Sequence, residues 1–187
     1  MAKLFLVLGT PGAGKTSVLR GVEGVELFSV GTEMLGEYEK EFGAVDRDQM
    51  RRMMIPRYAD AARIRNAVLR RVVAKTGTVA IDTHASIKAG NSYLPGFSHE
   101  DLKLLKDQIK AIIYIDAETK DLIERREKDK TRIREQDTEA DLDQHREINI
   151  GLIATYSLYL GTPIFIIKNG SNLAETQKAV SEVIKKF

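Results

Sequence analysis

Residues 9–17 read GTPGAGKTS and follow directly on the apolar run LFLVL at 4–8. Glycines at 9, 12 and 14 with a lysine and a hydroxyl at 15 and 16 satisfy GxxxxGK[ST], a pattern that leaves few folds open. The run before it suits a parallel strand buried on both faces, and Lys15 onward suits the first turn of a helix. With strand, loop and helix in that order, backbone N–H groups and the positive helix end converge on an anion. Gly9, Thr10, Pro11, Gly12, Ala13, Gly14, Lys15, Thr16 and Ser17 are therefore the expected phosphate cradle. Lys15 would reach the β/γ-phosphates of a nucleotide such as ATP, and the Thr16 hydroxyl would hold Mg²⁺. A glycine-rich turn without a ligand is the bland alternative, and the flanking elements count against it.

The remaining chain alternates between the two periodicities. Strands are expected at 4–9, 25–30, 78–83, 111–116 and 163–168, and helices at 15–22, 33–41, 57–75, 99–107, 118–130, 139–160 and 172–186. Ser98 with Asp101, Thr138 with Asp141 and Asn172 with Glu175 carry capping signals. Such alternation implies an α/β, three-layer P-loop NTPase fold, a five-stranded parallel sheet with helices on both faces and its ligand at the strands' carboxyl ends. At 187 residues the chain suits one domain. Two stretches read as inserts on that core: 31–76, too long for a simple crossover, and 118–137, with fourteen charged side chains in twenty. Both are expected to overhang the phosphate loop.

Composition narrows the function. A formal net charge of +2 and 6% aromatic residues argue against a bulk nucleic-acid binder. With no cysteine there is no disulfide or thiolate metal site, and a cytoplasmic enzyme is expected. The first apolar run is too short for a signal-peptide core. The uncharged stretch 148–167 has the length of a membrane span. Gly161-Thr162-Pro163 interrupts it, however, so a buried helix followed by a core strand is expected, and no membrane.

The strand TVAID ends in Asp82, where P-loop proteins place the carboxylate that supports Mg²⁺. Many hydrolysing ATPases put a glutamate next; here Thr83 follows, so the site reads as one for transfer rather than for water. An acceptor hydroxyl needs a base, whereas an acceptor phosphate is already anionic. Two polyanions brought together need fixed cations, preferably arginines. DRDQMRR supplies Arg47, Arg51 and Arg52, the first two one helical turn apart. ERREKDKTRIRE supplies Arg125, Arg126, Arg132 and Arg134. Arg63, Arg65, Arg70 and Arg71, in a helical pattern with Ala61, Ile64, Val68 and Val72 inward, are expected to be solvated.

GTPGAGKTS, VGTEM, DRDQMRR, DTHASIKAGNSYLPGF, RREKDKTRIRE and INIGLIATYSLYLGTPIFIIKN occur in the order found in archaeal-type adenylate kinases, and the chain resembles that family over nearly its whole length. DTH followed by YLPG is the most specific part. The resemblance implies MgATP + AMP ⇌ 2 ADP, residues 31–76 as the monophosphate-binding region, 118–137 as a short lid, and a homotrimer. It implies Thr32 against the acceptor nucleotide, beside an ordinary role as helix N-cap. It also implies Arg47 and Arg51 on the acceptor phosphate, His84 and Lys88 lining the same site, Arg125 or Arg126 stacked on the donor base, and Arg132 and Arg134 over the transferring phosphoryl group. The chain departs from the family at Ile150, where an arginine is expected after asparagine; Arg146, one turn earlier, is the expected substitute. A P-loop kinase of a small hydroxylated metabolite, or an ATP-dependent RNA or ribosome-assembly factor, are the competing readings. The first would need a carboxylate base, the second a basic stripe with exposed aromatics. No NKxD or DxxG stretch supports a guanine-nucleotide switch.

Overall fold

The structure, a computed structural model, describes residues 1–128 and 137–187. The apolar run forms β1 (Lys3–Leu8), and the glycine loop leads from it into α1 (Lys15–Arg20). Then follow β2 (Glu26–Ser29), α2 (Val30–Phe42), α3 (Arg47–Met54), α4 (Tyr58–Val73) and β3 (Thr78–Asp82). A hairpin, β4 (Ser86–Ala89) and β5 (Ser92–Pro95), precedes α5 (His99–Leu105), β6 (Ile109–Asp116) and α6 (Thr119–Lys128). The chain continues through α7 (Glu139–Leu160), β7 (Ile164–Lys168) and α8 (Leu173–Ile184).

The five expected strands form one parallel sheet in the order β2-β3-β1-β6-β7. Successive side chains of a strand point to opposite faces, so the central strands feed two cores. Leu4, Leu6 and Leu8 join Ile81, Ile112 and Tyr114 beneath α2, α4, α5 and α7. Phe5 and Val7 join Ala80, Ile113 and Ile115 beneath α1 and α8. Residues 4–8 are entirely buried, which is why they read as an unbroken apolar run.

Capping chemistry sets several helix starts. Asp46 accepts the N–H groups of Asp48 and Gln49 at 2.8 and 2.7 Å, and Gln49 Oε1 accepts the Asp46 N–H at 2.8 Å. That box opens α3, a two-turn helix absent from the expected list because only Met50 and Met54 mark its buried side. The expected boxes at Ser98/Asp101 and Thr138/Asp141 are formed, and Asn172 accepts the Glu175 N–H. α2 begins at Val30 with Ser29 as its N-cap, so Thr32 lies inside the first turn rather than at the cap. The β4–β5 hairpin was not expected either, since two four-residue strands give little alternation to read.

In α4 one expectation fails. Arg63, Arg70 and Arg71 are exposed and bond Glu41, Asn66 and Glu33/Glu37. Arg65 is only 4% exposed, with its Nε donating to Asp101 Oδ2 at 2.6 Å. The buried stripe is Ala61, Ile64, Arg65, Val68, Leu69 and Val72, and position 65 lies four residues after Ala61 and four before Leu69. Helical phase therefore turns Arg65 inward, and the carboxylate at the start of α5 makes its burial tolerable.

The uncharged stretch resolves into the C-terminal part of α7 and strand β7. Among the described residues no helix is long and apolar enough to cross a membrane. α7 buries Leu142, His145, Asn149, Ile153, Tyr156 and Leu160. Its opposite side leaves Leu158 86% exposed, and the edge strand β7 leaves Ile166 57% exposed.

Candidate active site

The glycine loop leaves β1 at the carboxyl end of the sheet. Gly14 stands at the N-terminus of α1 with φ of +85°, a left-handed conformation that favours glycine, and a Cβ there would come within 2.5 Å of Asn169 Nδ2. The loop's carbonyls are held by partners from α6 and from the end of β7. Asn169 Nδ2 donates to Ala13 O at 2.7 Å, and Arg126 Nε and Nη2 donate to Pro11 O at 2.9 and 2.8 Å. Arg125 Nη2 reaches the carbonyls of Asn169 and Gly170 at 2.9 and 3.0 Å.

Lys15 is 6% exposed, and its Nζ donates to Gly9 O at 3.1 Å. The Thr16 hydroxyl donates to Asp82 Oδ2 at 2.6 Å. Asp82 is placed there by register, because β3 lies beside β1 with Asp82 opposite Val7. A hydroxyl and a carboxylate so close are hard oxygen donors. Among the described residues no cluster of three His, Cys, Asp or Glu could hold a metal ion. This donor set fits Mg²⁺, which binds through one or two protein oxygens plus water and phosphate.

These residues line a cavity of about 360 Å³. Lys15, Thr16 and Asp82 contribute from the loop side, Arg47 and Arg51 from α3, and Arg125 from α6. α2, α3 and β4 add an apolar wall of Val30, Met34, Met50, Met54 and Ile87. Gly96, the last residue of YLPG, also lines it; a Cβ there would stand 2.0 Å from the His84 carbonyl oxygen. That close approach accounts for a glycine at the end of the motif.

Other expected residues are placed with more discrimination. Arg47 Nη2 donates to Thr32 Oγ1, so Thr32 holds an arginine, while Ser29, Val30 and Gly31 line the cavity in its stead. His84 stands in the wall between this cavity and a smaller one. Burial, with the positive charges of Lys15 and Arg51 nearby, holds His84 well below the usual histidine range, so it is neutral at pH 7. Its Nδ1 is buried without a partner.

Lys88 lines only the smaller cavity, and its Nζ donates to Asp137 at 2.7 Å and Asp141 at 3.0 Å. Arg52 and Arg126 line that cavity as well. Arg132 and Arg134 lie outside the described residues. Arg146 does not take the place of the arginine missing at 150. It makes a two-pronged pair with Asp116, at 2.6 and 2.5 Å, in a third cavity. The Asp116 carboxylate, 5% exposed, requires a cationic partner, and α7 supplies one there.

A buried polar chain escaped the sequence reading. His145 Nε2 lies 3.0 Å from Ser86 Oγ, which donates to Asn149 Oδ1 at 2.6 Å. The hydroxyl's single proton is thereby used, so His145 Nε2 carries the hydrogen and donates. Asn149 Nδ2 extends the chain to Thr10 Oγ1 at 3.4 Å, and Thr10 meets Tyr114 Oη at 3.2 Å. The hairpin, α7, the phosphate loop and β6 are joined in this way. His145 and Asn149, four residues apart on the inner face of α7, were the available signal.

A phosphate loop at the end of β1, a Thr–Asp oxygen pair and a cation-lined cavity on a five-stranded parallel sheet define a P-loop kinase. The family model described as an AAA domain matches residues 8–143. Among solved structures, shikimate kinase from Bacteroides thetaiotaomicron superposes with a TM-score of 0.58 at 13% identity, over 97% of this chain and 98% of that one. Deoxyadenosine kinase from M. mycoides gives 0.57 at 15% identity, over 98% and 100%; both likenesses concern the fold. The adenylate kinase of Methanocaldococcus jannaschii is 34% identical over 194 residues, 98% of this chain and 97% of that protein. The adenylate kinase of Thermoplasma acidophilum is 32% identical over 183 residues, 96% of each. The chain belongs to the adenylate kinase family and is a phosphotransferase.

One pH dependence follows from the buried polar chain. Burial lowers the His145 pKa to about 4, against about 6.5 in an unfolded chain. Between those values the unfolded state binds the extra proton. The contribution of His145 is therefore complete above pH 6.5 and is lost as pH falls towards 4, at about 1.4 kcal/mol per pH unit. Urea unfolding from pH 7 to 4.5 should fall less steeply for His145→Gln than for the wild type. Equal slopes would show that His145 titrates alike in both states.

Proposed function

We propose that the chain catalyses MgATP + AMP ⇌ 2 ADP. One observation carries this reading: among the described residues, Lys15, Arg47, Arg51 and Arg125 line the main cavity, with Arg65 already paired to Asp101, and the single lining carboxylate, Asp82, is already bonded to Thr16. A hydroxyl acceptor would need a carboxylate free to take its proton. An acceptor phosphate needs only cations, and Thr83, in place of a glutamate, offers no carboxylate to orient a water.

In this reading Lys15 neutralises charge on the transferring phosphoryl group, and the loop amides hold the donor phosphates. Arg47 and Arg51 hold the acceptor phosphate, Arg47 being steadied by Thr32. Neutral His84 acts as a hydrogen-bonding wall rather than as a cation. Thr16 and Asp82 would hold Mg²⁺, which would supply positive charge to offset that of the phosphates. Arg125 is favoured over Arg126 for the donor base: 31% of its side chain is exposed, against 11% for Arg126, which is engaged by Pro11 and Asp137. Arg132 and Arg134, outside the described residues, keep the role on the transferring phosphoryl group that the family resemblance implies. Residues 31–76 form the monophosphate-binding region and 118–137 the short lid. Lys88, through Asp137 and Asp141, ties the lid's end to the hairpin.

We also place the protein in the cytoplasm as a homotrimer, without nucleic-acid or membrane partners. Leu158 on α7 and Ile166 on β7 are the exposed apolar side chains that a neighbouring subunit would cover.

Product analysis with MgATP and each nucleoside monophosphate tests the reaction, with ADP arising from both substrates when AMP is the acceptor. Lys15→Ala should lower turnover at least about a hundredfold, or about 2.7 kcal/mol in the barrier, with thermal unfolding unchanged. A near wild-type rate would remove Lys15 from the chemistry. A stacked arginine uses a π-face that every base possesses. GTP and CTP should therefore serve as donors within about a hundredfold of ATP in kcat/KM, and a preference above about 10⁴ would require a donor pocket that reads base edges. Light scattering at micromolar concentration should give three times the chain mass, and a monomer mass would overturn the trimer.

A further inference from the structure

Arg65 is a buried cation that phosphoryl transfer, as described above, does not use. Its partner needs nothing more from it than one bond. Asp101 is fully buried; its Oδ2 accepts from Arg65 Nε at 2.6 Å and from the N–H and hydroxyl of Ser98 at 2.8 Å each. Its Oδ1 accepts from Asn66 Nδ2 at 3.3 Å. The pair neutralises the guanidinium and fixes it between α4 and α5. Yet Arg65 Nη2 is buried with no hydrogen-bond partner. A buried donor left unmade costs about as much as a lost hydrogen bond, so native structures rarely keep one without a reason. Tyr38 Oη is also unpartnered, but Tyr38 does not line the cavity, whereas Arg65 does.

The surroundings state what chemistry would satisfy it. Met34, Met50 and Met54 line the same cavity, and thioethers pack well against flat aromatic rings. A guanidinium N–H only donates. An apolar methionine wall beside a buried donor without a partner fits an aromatic heterocycle with an unprotonated nitrogen on its edge. α3 contributes both Arg47 and Arg51 and two of these methionines, so a phosphate held by the arginines carries its base towards the methionine wall.

We propose that Arg65 reads the base of the acceptor nucleotide, its Nη2–H donating to a ring nitrogen of adenine, with Asp101 as the group that positions it. The proposal rests on AMP being the acceptor. It makes Arg65 a binding and specificity residue on the NMP side of the cavity, with no part in phosphoryl transfer itself.

The test compares AMP with 1-deaza-, 3-deaza- and 7-deaza-AMP as acceptors for the wild-type enzyme, each analogue replacing one ring nitrogen by C–H. One of the three should lose at least about thirtyfold in kcat/KM, because a site built to pair a polar edge strongly rejects an analogue lacking it. The KM for ATP should not change. The paired variant Arg65→Met with Asp101→Asn removes both charges together, and asparagine retains an oxygen for Ser98. In it the KM for AMP should rise about tenfold or more, with the KM for ATP unchanged and the discrimination against that analogue gone. Three analogues all within about threefold of AMP on the wild type would overturn the proposal, as would a penalty that persists in the variant. The wild-type series decides by itself if the variant does not fold. Absence of any ADP from unmodified AMP would overturn the adenylate reading, and this proposal with it.

Discussion

Strand β1 has a neighbour on each edge and helices over each face, so it can meet a ligand only at its ends, and the glycine loop leaves the carboxyl one. The site depends on that burial. Five apolar side chains fix the strand's position, and the loop that follows must turn at once into α1 through a left-handed glycine. Because β3 pairs in register with β1, the same constraint delivers Asp82 to the Thr16 hydroxyl. The oxygen pair that fits a divalent cation is thus a consequence of strand register, with no loop of its own to build it.

Around this anchor the molecule distributes positive charge by different means. The phosphate loop relies on backbone dipoles and on Lys15, which is buried against its own loop carbonyl. α3 lays Arg47 and Arg51 on one face through a helix that exists because Asp46 and Gln49 cap it. The α6 arginines bond backbone carbonyls, Arg126 at Pro11 in the phosphate loop and Arg125 at Asn169 and Gly170 after β7, so the loop is tied to the proposed lid region, of which α6 is part. A second coupling runs through neutral groups, from His145 through Ser86 and Asn149 to Thr10. Such a chain joins these elements without adding charge beside the phosphate loop.

Cations off the phosphate loop differ in the partners that the fold brings to them. Arg146 and Asp116 satisfy each other beyond the main cavity, and Lys88 is absorbed by Asp137 and Asp141. Arg65, which lines the main cavity, is anchored through Nε and keeps Nη2 buried without a partner. Whether an arginine is matched by a carboxylate or keeps a donor unmatched is set by the fold, and it cannot be inferred from the residue type.

What the sequence by itself determined lies in short-range pattern. The glycine loop, the apolar strands, the split of residues 148–167 into helix and strand, and the capping boxes at Ser98 and Thr138 all follow from local sterics, period and donor–acceptor spacing. Helix α3 and the β4–β5 hairpin fell below that threshold, being too short for a period to accumulate. The tertiary structure decided which charges are partnered. Arg65 read as solvated beside Arg63, Arg70 and Arg71, and only Asp101, 36 positions away, makes its burial possible. Arg146 likewise answers to Asp116 across 30 positions, and His145 to Ser86 across 59. The physical reason is the same in each case. The cost of burying a polar group is set by whichever partner the fold brings to it, and that partner leaves no trace in the neighbouring sequence.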